Sequence, residues 1–414
     1  MQFFFPDSQD QVNPDYDFVD ESYPPHRIRQ RDDRYAHEVL AVPPYDGMLI
    51  SKSIIDGTTD APGKYSEAGK LRLYREGVHQ YFRLPTSQKM EVIGDCGAFT
   101  YRAASKPPYS PAEVLDFNLR LGTDIAISPD HLVFSFSDCE SNVDRALAAE
   151  FEARRELTLS MAREFLQIAK STSVRLTPGA VAHGWSVSSY VDSVRDLVRL
   201  GYAFIALGGM VPMKTPQILS VLETLHELQL TDQARIHLLG ITRLDALKAF
   251  SHFGVDSFDS TSPFLQSFRD GEDNYYLGAE RFKAIRIPQS DSTTAISKQI
   301  NSGKIDQATY QRAESSALRA VRQYGVHARS VEDTVSAVLD LYQVIGRHYS
   351  TREQLARTLS ARPWDQCRCA VCMRLGIEVV VFRGTERNKS RGFHNLHQFH
   401  IELNLQRTRR DLCG

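Results

Sequence analysis

The stretch VRLTPGAVAHGWSVSSYVDSVRDLVRLGYAFIALGG, residues 174–209, shows the alternation of structural elements that decides the fold. Two short apolar runs, Val174–Ala182 and Ala203–Ala206, flank Tyr190–Leu200, in which apolar residues recur at helical spacing. Two strands joined through a helix are typical of a parallel sheet, because parallel neighbours need a crossover connection. The stretch therefore predicts a βαβ unit.

The same alternation extends on both sides, from about residue 47 to about residue 265. Further strands are predicted at Met48–Ile55, Glu91–Ile93, Asp124–Ile127, Arg235–Leu239, Val255–Phe258 and Glu378–Phe382. Further helices are predicted at Ser141–Lys170, Pro216–Leu228 and Leu244–Phe253. Eight strands would close a (β/α)8 TIM barrel, which is the predicted α/β fold. A doubly wound open sheet is the alternative.

Composition limits the classes of protein to consider. The chain has 414 residues, of which 42% are hydrophobic, and a net charge of −2, so it lacks the basic excess of a protein that binds nucleic acid by charge alone. No stretch approaches the roughly 18 apolar residues needed to span a membrane, and the N-terminus has no signal-peptide pattern. We expect a cytoplasmic protein with reduced cysteines and no membrane partner.

A cluster of cysteines near the C-terminus suits a metal ion. Three cysteines within six residues cannot easily pair with one another, whereas with a downstream histidine they offer four ligands for tetrahedral Zn²⁺. The candidate ligands are Cys367, Cys369, Cys372 and His394. His397 and His400 are alternative ligands, since they lie about one and two helical turns further along. Four protein ligands leave no open position, so the zinc would be structural.

The segments outside the alternation complete the predicted domain organisation. Residues 1–46 are acidic and contain prolines, which indicates an N-terminal arm or cap, and residues 47–292 form the barrel core. Residues 293–362 have a helical pattern and no predicted strand, which indicates a helical insertion. Residues 363–414 would form a zinc-binding segment that closes the barrel.

Carboxylates and glycines fall at the predicted C-terminal ends of strands, where TIM barrels carry their reactive groups. These strand ends carry Asp95, Asp130, Asp259, Gly208, Gly209 and Gly240, together with His183 and Leu239. Converging carboxylates indicate chemistry at a glycosidic bond, in which one carboxylate attacks the anomeric carbon and another handles the proton of the leaving group. Glycines let a flat ring approach the main chain. The alternatives are a helix cap for each aspartate and a plain turn for the glycine pair.

Three of these motifs together resemble the tRNA-guanine transglycosylase superfamily. They are Gly-Asp-Cys-Gly-Ala-Phe at 94–99, Val-Asp-Ser-Phe-Asp at 255–259, and the Cys-x-Cys-x-x-Cys run with His394-Asn395 downstream. The resemblance covers roughly residues 45–265 and 365–400. It implies a zinc-bearing TIM barrel that exchanges guanine for a 7-deazaguanine without breaking the nucleic-acid backbone, and the asparagine neighbour favours His394 as the fourth ligand.

The chain looks most like the DNA 7-deazaguanine transglycosylase (DpdA) branch, whose members act on DNA. The sequences that carry this likeness are Phe-Phe-Phe-Pro-Asp-Ser at 3–8, Ser-Pro-Asp-His at 128–131 and His-Gly-Trp-Ser at 183–186. Residues 260–264 read Ser-Thr-Ser-Pro-Phe where the tRNA enzymes commonly have Leu-Pro-Thr-Arg, which also favours DNA. The implied partners are DNA and a preQ0-type base, with accessory DNA-modification proteins as further candidates.

The resemblance implies roles for single residues. Asp259 matches the nucleophile that attacks C1′ of the target nucleoside, and Asp95 matches the general acid and base. Asp130 matches the aspartate that reads the guanine edge. Phe99 matches the aromatic residue that stacks on the base, opposite Leu239. A core aromatic is the alternative interpretation of Phe99.

The remaining predicted contacts to the base come from the backbone of glycines and from one side chain that differs from the tRNA enzymes. Gly208 and Gly209 match the backbone that meets the base carbonyl, and Gly240 is a further predicted contact. His183 stands where the tRNA enzymes have glutamine, so its contacts to the base or its 7-substituent would differ.

Two other functions remain open from the sequence. One is a tRNA-guanine transglycosylase with the same chemistry. The other is a non-catalytic, zinc-stabilised nucleic-acid-binding subunit, against which the presence of both Asp95 and Asp259 argues.

Overall fold

The computed structural model describes residues 1–58, 60–138, 143–172, 175–271, 273–290 and 295–411. The first residues of the predicted helix Ser141–Lys170 and the first residue of the predicted strand Val174–Ala182 lie outside the described residues.

Eight parallel strands form a closed barrel in which each strand pairs with the next and the first pairs with the eighth. The strands are β1 Gln2–Pro6, β2 Gly47–Ser51, β3 Glu91–Asp95, β4 Ile125–Ile127, β5 Thr177–Ala182, β6 Phe204–Leu207, β7 Arg235–Leu238 and β8 Val255–Asp259. The predicted TIM-like barrel is therefore confirmed, and the open sheet is excluded.

Helices follow most of the strands. They are α1 Ala36–Val39, α2 Lys52–Ile55, α3 Glu67–Tyr81, α4 Pro111–Leu121, α5 Arg145–Ser171, α6 Val187–Leu200, α7 Thr215–Glu227, α8 Leu247–His252, α9 Ser262–Leu265, α10 Ala295–Asn301, α11 Gln307–Gly325, α12 Val331–Ile345, α13 Arg352–Ala361, α14 Pro363–Gln366, α15 Ala370–Leu375 and α16 Gly384–Asp411. Among the described residues, no helix has both the length and the apolar character needed to cross a membrane.

Local sequence explains where these helices begin and end. Ser110 caps α4 through its side chain, Pro111 occupies the first turn, and Gly122 ends the helix at φ 69°. In the same way, Ser186 caps α6 and Gly201 ends it at φ 98°. These stop signals return the chain to the next strand after a short connection.

The identity of one barrel strand differs from the prediction. Glu378–Phe382 is not a barrel strand: Gly376–Val380 is a 3-10 helix, and Val381–Phe382 pairs with Ile285–Arg286 in a separate sheet. The barrel is closed instead by β1, where Phe4 lies opposite Gly47 of β2 and Asp259 of β8. Apolar character predicts burial, and a five-residue run cannot show which sheet it joins.

Apolar side chains from β1 to β6 form a single buried cluster. Its members are Phe4, Leu49, Ile93, Ile125, Ile127, Val181, Phe204 and Ala206, and the partly buried Leu239 packs against it. Because these side chains fill the space between the strands, polar groups are left to the strand ends.

The chain divides into two compact units. The first consists of Met1–Gln9, Tyr45–Thr261 and Gln406–Gly414 and contains the barrel, and the second consists of Asp10–Pro44 and Ser262–Leu405. The division differs from the predicted organisation, in which residues 1–46 formed one arm or cap. Between residues 295 and 361, within the region where the sequence predicts a helical insertion, the chain forms α10 to α13.

In the second unit, buried arginines hold the acidic segment Asp10–Pro44. Arg387, only 1% exposed, lies 2.6 Å from the Glu21 carboxylate, and Arg383 forms an ion pair with the same carboxylate. Burial opposes ionisation of Glu21, yet the hydrogen bond and charge of Arg383 lower its pKa to about 2. Glu21 of this acidic segment therefore serves ion pairing rather than solvation.

We expect Phe4→Ala to lower the free energy of unfolding by about 3–5 kcal/mol, because it leaves a cavity in the barrel core beside a fully buried ring. Phe134→Ala is the matched control, because Phe134 is 41% exposed and its loss should change stability by less than about 1 kcal/mol. Chemical denaturation measures both. Equal, small effects would contradict the assignment of residues 2–6 to the barrel core.

Candidate active site and metal centre

Three aspartates occupy strand ends on the C-terminal side of the barrel. Asp95 is the last residue of β3, Asp259 is the last residue of β8, and Asp130 lies three residues after β4. Asp130 and Asp259 are only 5% and 6% exposed. The charges of both act on Asp95, so the structure brings the three predicted carboxylates together.

Asp95 has the properties of a group that exchanges protons near neutral pH. Burial, together with the negative charges of Asp130 and Asp259, raises its pKa to about 7, although hydrogen bonds from Ser51 and Gly97 oppose the shift. Its Oδ1 atom is buried without a hydrogen-bond partner among the described residues. Asp95 can therefore donate or accept a proton at an atom that the protein leaves unpaired.

Asp259 is held through one of its two carboxylate oxygens. Its Oδ1 accepts from the N–H of Gly240 at 3.0 Å and lies 3.1 Å from Nε2 of His237. No described residue donates to Oδ2. The N–H of Gly240, predicted to contact the base, is thus engaged with Asp259 in this structure.

His237 is a residue of this site that the sequence analysis missed. Its Nδ1 lies 2.8 Å from Oγ of Ser257, and its Cα is the register partner of Ser257 across β7 and β8. A usable signal was present, because Ser257 and Asp259 share one face of β8 and a polar residue occurs at the facing position of β7. Without the register between β7 and β8, the sequence could not show that His237 lies beside Ser257.

Asp130 receives donors on both oxygens. The thiol of Cys96 lies 3.1 Å from Oδ1, and Nε2 of His183 lies 2.7 Å from Oδ2. Burial raises the pKa of the Cys96 thiol well above its ordinary value, so the thiol keeps its proton and donates. Tyr101 in turn donates to the Cys96 sulfur at 2.9 Å. The helix-cap alternative for Asp130 does not apply, and Cys96 joins the site.

The two glycines after β6 allow a close approach of the backbone to His183. A Cβ at Gly208 would lie 2.4 Å from Cε1 of His183, and a Cβ at Gly209 would lie 2.2 Å from the carbonyl oxygen of Val133. Gly209 also has φ +77°, which side chains rarely adopt. Nδ1 of His183 is buried without a partner among the described residues. Close packing therefore requires glycine at both positions.

Phe99 lies at the surface rather than in the core. It is 54% exposed, within a 3-10 helix after β3, and its ring packs edge-on against Phe134 at 6.0 Å. The guanidinium of Arg102 lies 4.6 Å from the Phe99 ring centre. The core interpretation of Phe99 is therefore wrong, and the ring presents a face on which a planar group can stack.

The second unit contains a buried cluster of the four predicted metal ligands. Cys367, Cys369, Cys372 and His394 have ligand atoms within 4.8 Å of one another. Nδ1 of His394 lies 3.5, 3.6 and 3.2 Å from the three sulfurs. Tetrahedral coordination of zinc requires nitrogen–sulfur separations of about 3.6 Å. The cluster can therefore hold a metal ion without rearrangement.

Neighbouring groups fix the orientation of these ligands. The backbone carbonyl of Tyr276 lies 2.6 Å from Nε2 of His394, which leaves Nδ1 as the ligand atom, and Tyr275 stacks on the same ring at 4.0 Å. Gln398 donates to the Cys367 sulfur at 3.3 Å. The alternative ligand His400 lies outside the cluster and contacts Asn404 at 2.7 Å.

Comparison with known proteins agrees with this geometry. The sequence pattern of the family described as queuine tRNA-ribosyltransferase matches residues 72–298, which include all three aspartates. A DNA-guanine transglycosylase from Salmonella montevideo is 42% identical over 407 residues, which cover 97% of this chain and 96% of that protein.

We expect the purified protein to contain about one equivalent of metal, and Cys372→Ala to lose it and to unfold at a temperature lower by on the order of 10 °C. Elemental analysis and thermal unfolding measure the two effects. Cys96→Ala is the control, since Cys96 is also a buried thiol but lies outside the cluster and should leave the metal content unchanged. Equal metal content in both variants would contradict the assignment.

Proposed function

Because the chain belongs to the queuine tRNA-ribosyltransferase family, we propose that it is a transglycosylase that exchanges guanine in DNA for a 7-deazaguanine base of the preQ0 type. The observation that carries this proposal is that Asp95, whose pKa is near 7, senses the charge of Asp259, whose Oδ2 receives no hydrogen bond from the described residues. The name and high identity of the Salmonella relative favour DNA over tRNA. The silent-subunit alternative would not need either carboxylate.

In the first half-reaction, the Asp259 carboxylate attacks C1′ of the target deoxyguanosine. A carbon–oxygen bond forms as the glycosidic C1′–N9 bond breaks, and the electron pair of that bond passes to the departing guanine. Asp95, protonated below its pKa of about 7, gives its proton to a ring nitrogen of that base. The products are neutral guanine and DNA joined to Asp259 as a glycosyl ester.

In the second half-reaction, the incoming base reverses these steps. Asp95, now ionised, removes the N9 proton of the 7-deazaguanine, and N9 attacks C1′. The bond from C1′ to the Asp259 oxygen breaks, and its electron pair restores the carboxylate. Atoms and charge balance over the cycle, so no redox cofactor is required.

Recognition of the base is assigned to Asp130, Phe99, Leu239 and the backbone near His183. The Asp130 carboxylate would accept the ring N–H and exocyclic amine of guanine, whereas adenine would place a ring acceptor against the buried charge. Phe99 offers an exposed ring on which the extruded base can stack, which offsets part of the cost of unstacking. The main chain at Gly208 and Gly209 is proposed to meet the base carbonyl.

We propose that the metal is zinc and that its role is structural. Three thiolates and one imidazole fill a tetrahedral zinc site and leave no position for water or substrate. Zinc would link the loop around α15 to α16 within the second unit. DNA and the free base are the proposed partners, and accessory proteins that open the duplex are further candidates.

The test of this function is nucleoside mass spectrometry of plasmid DNA and of tRNA after incubation with the protein and 7-cyano-7-deazaguanine. The modified nucleoside should appear in DNA only, and Asp259→Ala should abolish it. Asp256→Ala is a matched control on the same strand, three residues before Asp259. Asp256 pairs with Arg235 at 3.0 Å and has no role in the proposed exchange.

The other outcomes of this experiment decide between the alternatives. Product in tRNA only would replace the proposal with the tRNA activity. No product, together with no covalent adduct between the wild type and guanine-containing DNA, would favour the non-catalytic binding subunit. A covalent adduct without product would show that the first half-reaction occurs and that the supplied base is the wrong one.

Formation of the covalent adduct should depend on pH through Asp95. Since the protonated form is the acid and its pKa is about 7, the adduct should form at a constant rate below pH 7 and about tenfold more slowly for each pH unit above it. Asp95→Asn should lower the rate by about 10²- to 10⁴-fold and remove this dependence. Rapid-quench trapping of the adduct measures the rate. A rate that stays constant up to pH 9 would refute the acid role.

A further inference from the structure

We propose that His237, held by Ser257, is a positioning residue that fixes Oδ2 of Asp259 as the attacking oxygen and stabilises the Asp259 carboxylate relative to its glycosyl ester. The inference rests on the proposed function and deepens it. Its starting point is the asymmetry of Asp259, which has two donors on Oδ1 and none from the described residues on Oδ2.

The hydrogen-bond chain determines the direction of each donor. An ionised Asp259 can only accept, so Nε2 of His237 carries the proton and donates to Oδ1. In the neutral ring Nδ1 is then an acceptor, and it receives the hydroxyl proton of Ser257 at 2.8 Å. Both His237 and Ser257 are fully buried, so no solvent competes for these bonds.

Packing prevents the His237 ring from turning away. The ring of Phe4 lies edge-on to it at 5.9 Å, and the ring of Phe204 lies 5.8 Å away on a second strand. With Oδ1 held by the ring and by Gly240, the carboxylate has one rotational position, and Oδ2 is the oxygen that remains available to carbon.

The same hydrogen bonds affect the two chemical states of Asp259 differently. A carboxylate is a stronger acceptor than the carbonyl of an ester, because the negative charge strengthens the bond. The His237 N–H therefore stabilises free Asp259 more than glycosylated Asp259. It makes the carboxylate a better leaving group in the second half-reaction, and its removal should trap the enzyme as the ester.

The experiment compares His237→Leu with His237→Gln, because glutamine retains an N–H donor of similar reach and leucine does not. Each variant is incubated with saturating guanine-containing DNA, and the covalent adduct is quantified on a denaturing gel over a range of free guanine concentrations. Free guanine reverses the first half-reaction, so the concentration that halves the adduct reports the equilibrium between ester and carboxylate. The breakdown rate is measured by adding excess incoming base.

For His237→Leu we expect the guanine concentration that halves the adduct to rise at least about tenfold, and the breakdown rate of the adduct to fall at least about tenfold. Both quantities should stay within about threefold of wild type in His237→Gln. Ser257→Ala should give a smaller change in the same direction. The His237 ring keeps its Nε2–H donor but loses the Ser257 hydroxyl that favours this tautomer. Thermal unfolding checks that the variants fold.

A His237→Leu variant whose equilibrium matches wild type would overturn the proposal, even if its rates fell. So would a leucine and a glutamine variant with equal losses, since that result would show a packing role alone. Failure of the proposed function itself is distinguishable, because the wild type would then form no adduct that depends on Asp259.

Discussion

Mutual repulsion among Asp95, Asp130 and Asp259 is the constraint on which the rest of the site depends. Three carboxylates cannot all be ionised in a buried cleft unless each charge is neutralised or hydrogen bonded. The protein solves the problem differently at each position. At Asp95, burial and the charges of the other two aspartates outweigh the hydrogen bonds from Ser51 and Gly97 and raise the pKa to about 7, so it keeps a proton for part of the time. Asp130 and Asp259 each accept two hydrogen bonds from described residues of neighbouring strands and loops. Three chemically identical side chains thereby acquire three different properties from their surroundings.

Much of this arrangement could be predicted from the sequence, because strand ends and short motifs are local features. The single strands and helices of the barrel, the aspartates at strand ends and the three cysteine ligands each have a pattern within a few residues, which the sequence shows directly. The closing strand could not be identified in this way. Phe3–Phe5 is too short to distinguish a buried strand from a hydrophobic tail, and Glu378–Phe382 is equally apolar but is buried elsewhere. His237 was missed for a related reason, because its role depends on the register between two strands.

The second unit shows the same difference between local and long-range information. Ligand spacing predicts three of the four metal ligands, since Cys367, Cys369 and Cys372 lie within one short loop and helix, whereas the choice of His394 over His397 and His400 rests on the family resemblance. No local pattern in the sequence predicts the position of residues 10–44. Its acidic side chains look solvated in the sequence, and only the fold reveals that Arg383 and Arg387 of α16 reach Glu21 across more than three hundred residues of chain. Burial of two guanidinium groups at this point is possible because carboxylates and carbonyls satisfy them.

Under the proposed function, the donors on Asp130 explain how one carboxylate can select guanine without becoming the attacking group. A carboxylate has about four lone-pair positions. Cys96 and His183 occupy two of them, one on each oxygen, and leave one on each oxygen for the ring N–H and the amine of a guanine edge. The four hydrogen bonds would lower the nucleophilicity of Asp130 and fix its plane. Asp259 is the reverse case, since the two donors that the described residues supply both lie on Oδ1. The distribution of donors over the two oxygens, rather than the number of donors, separates recognition from attack.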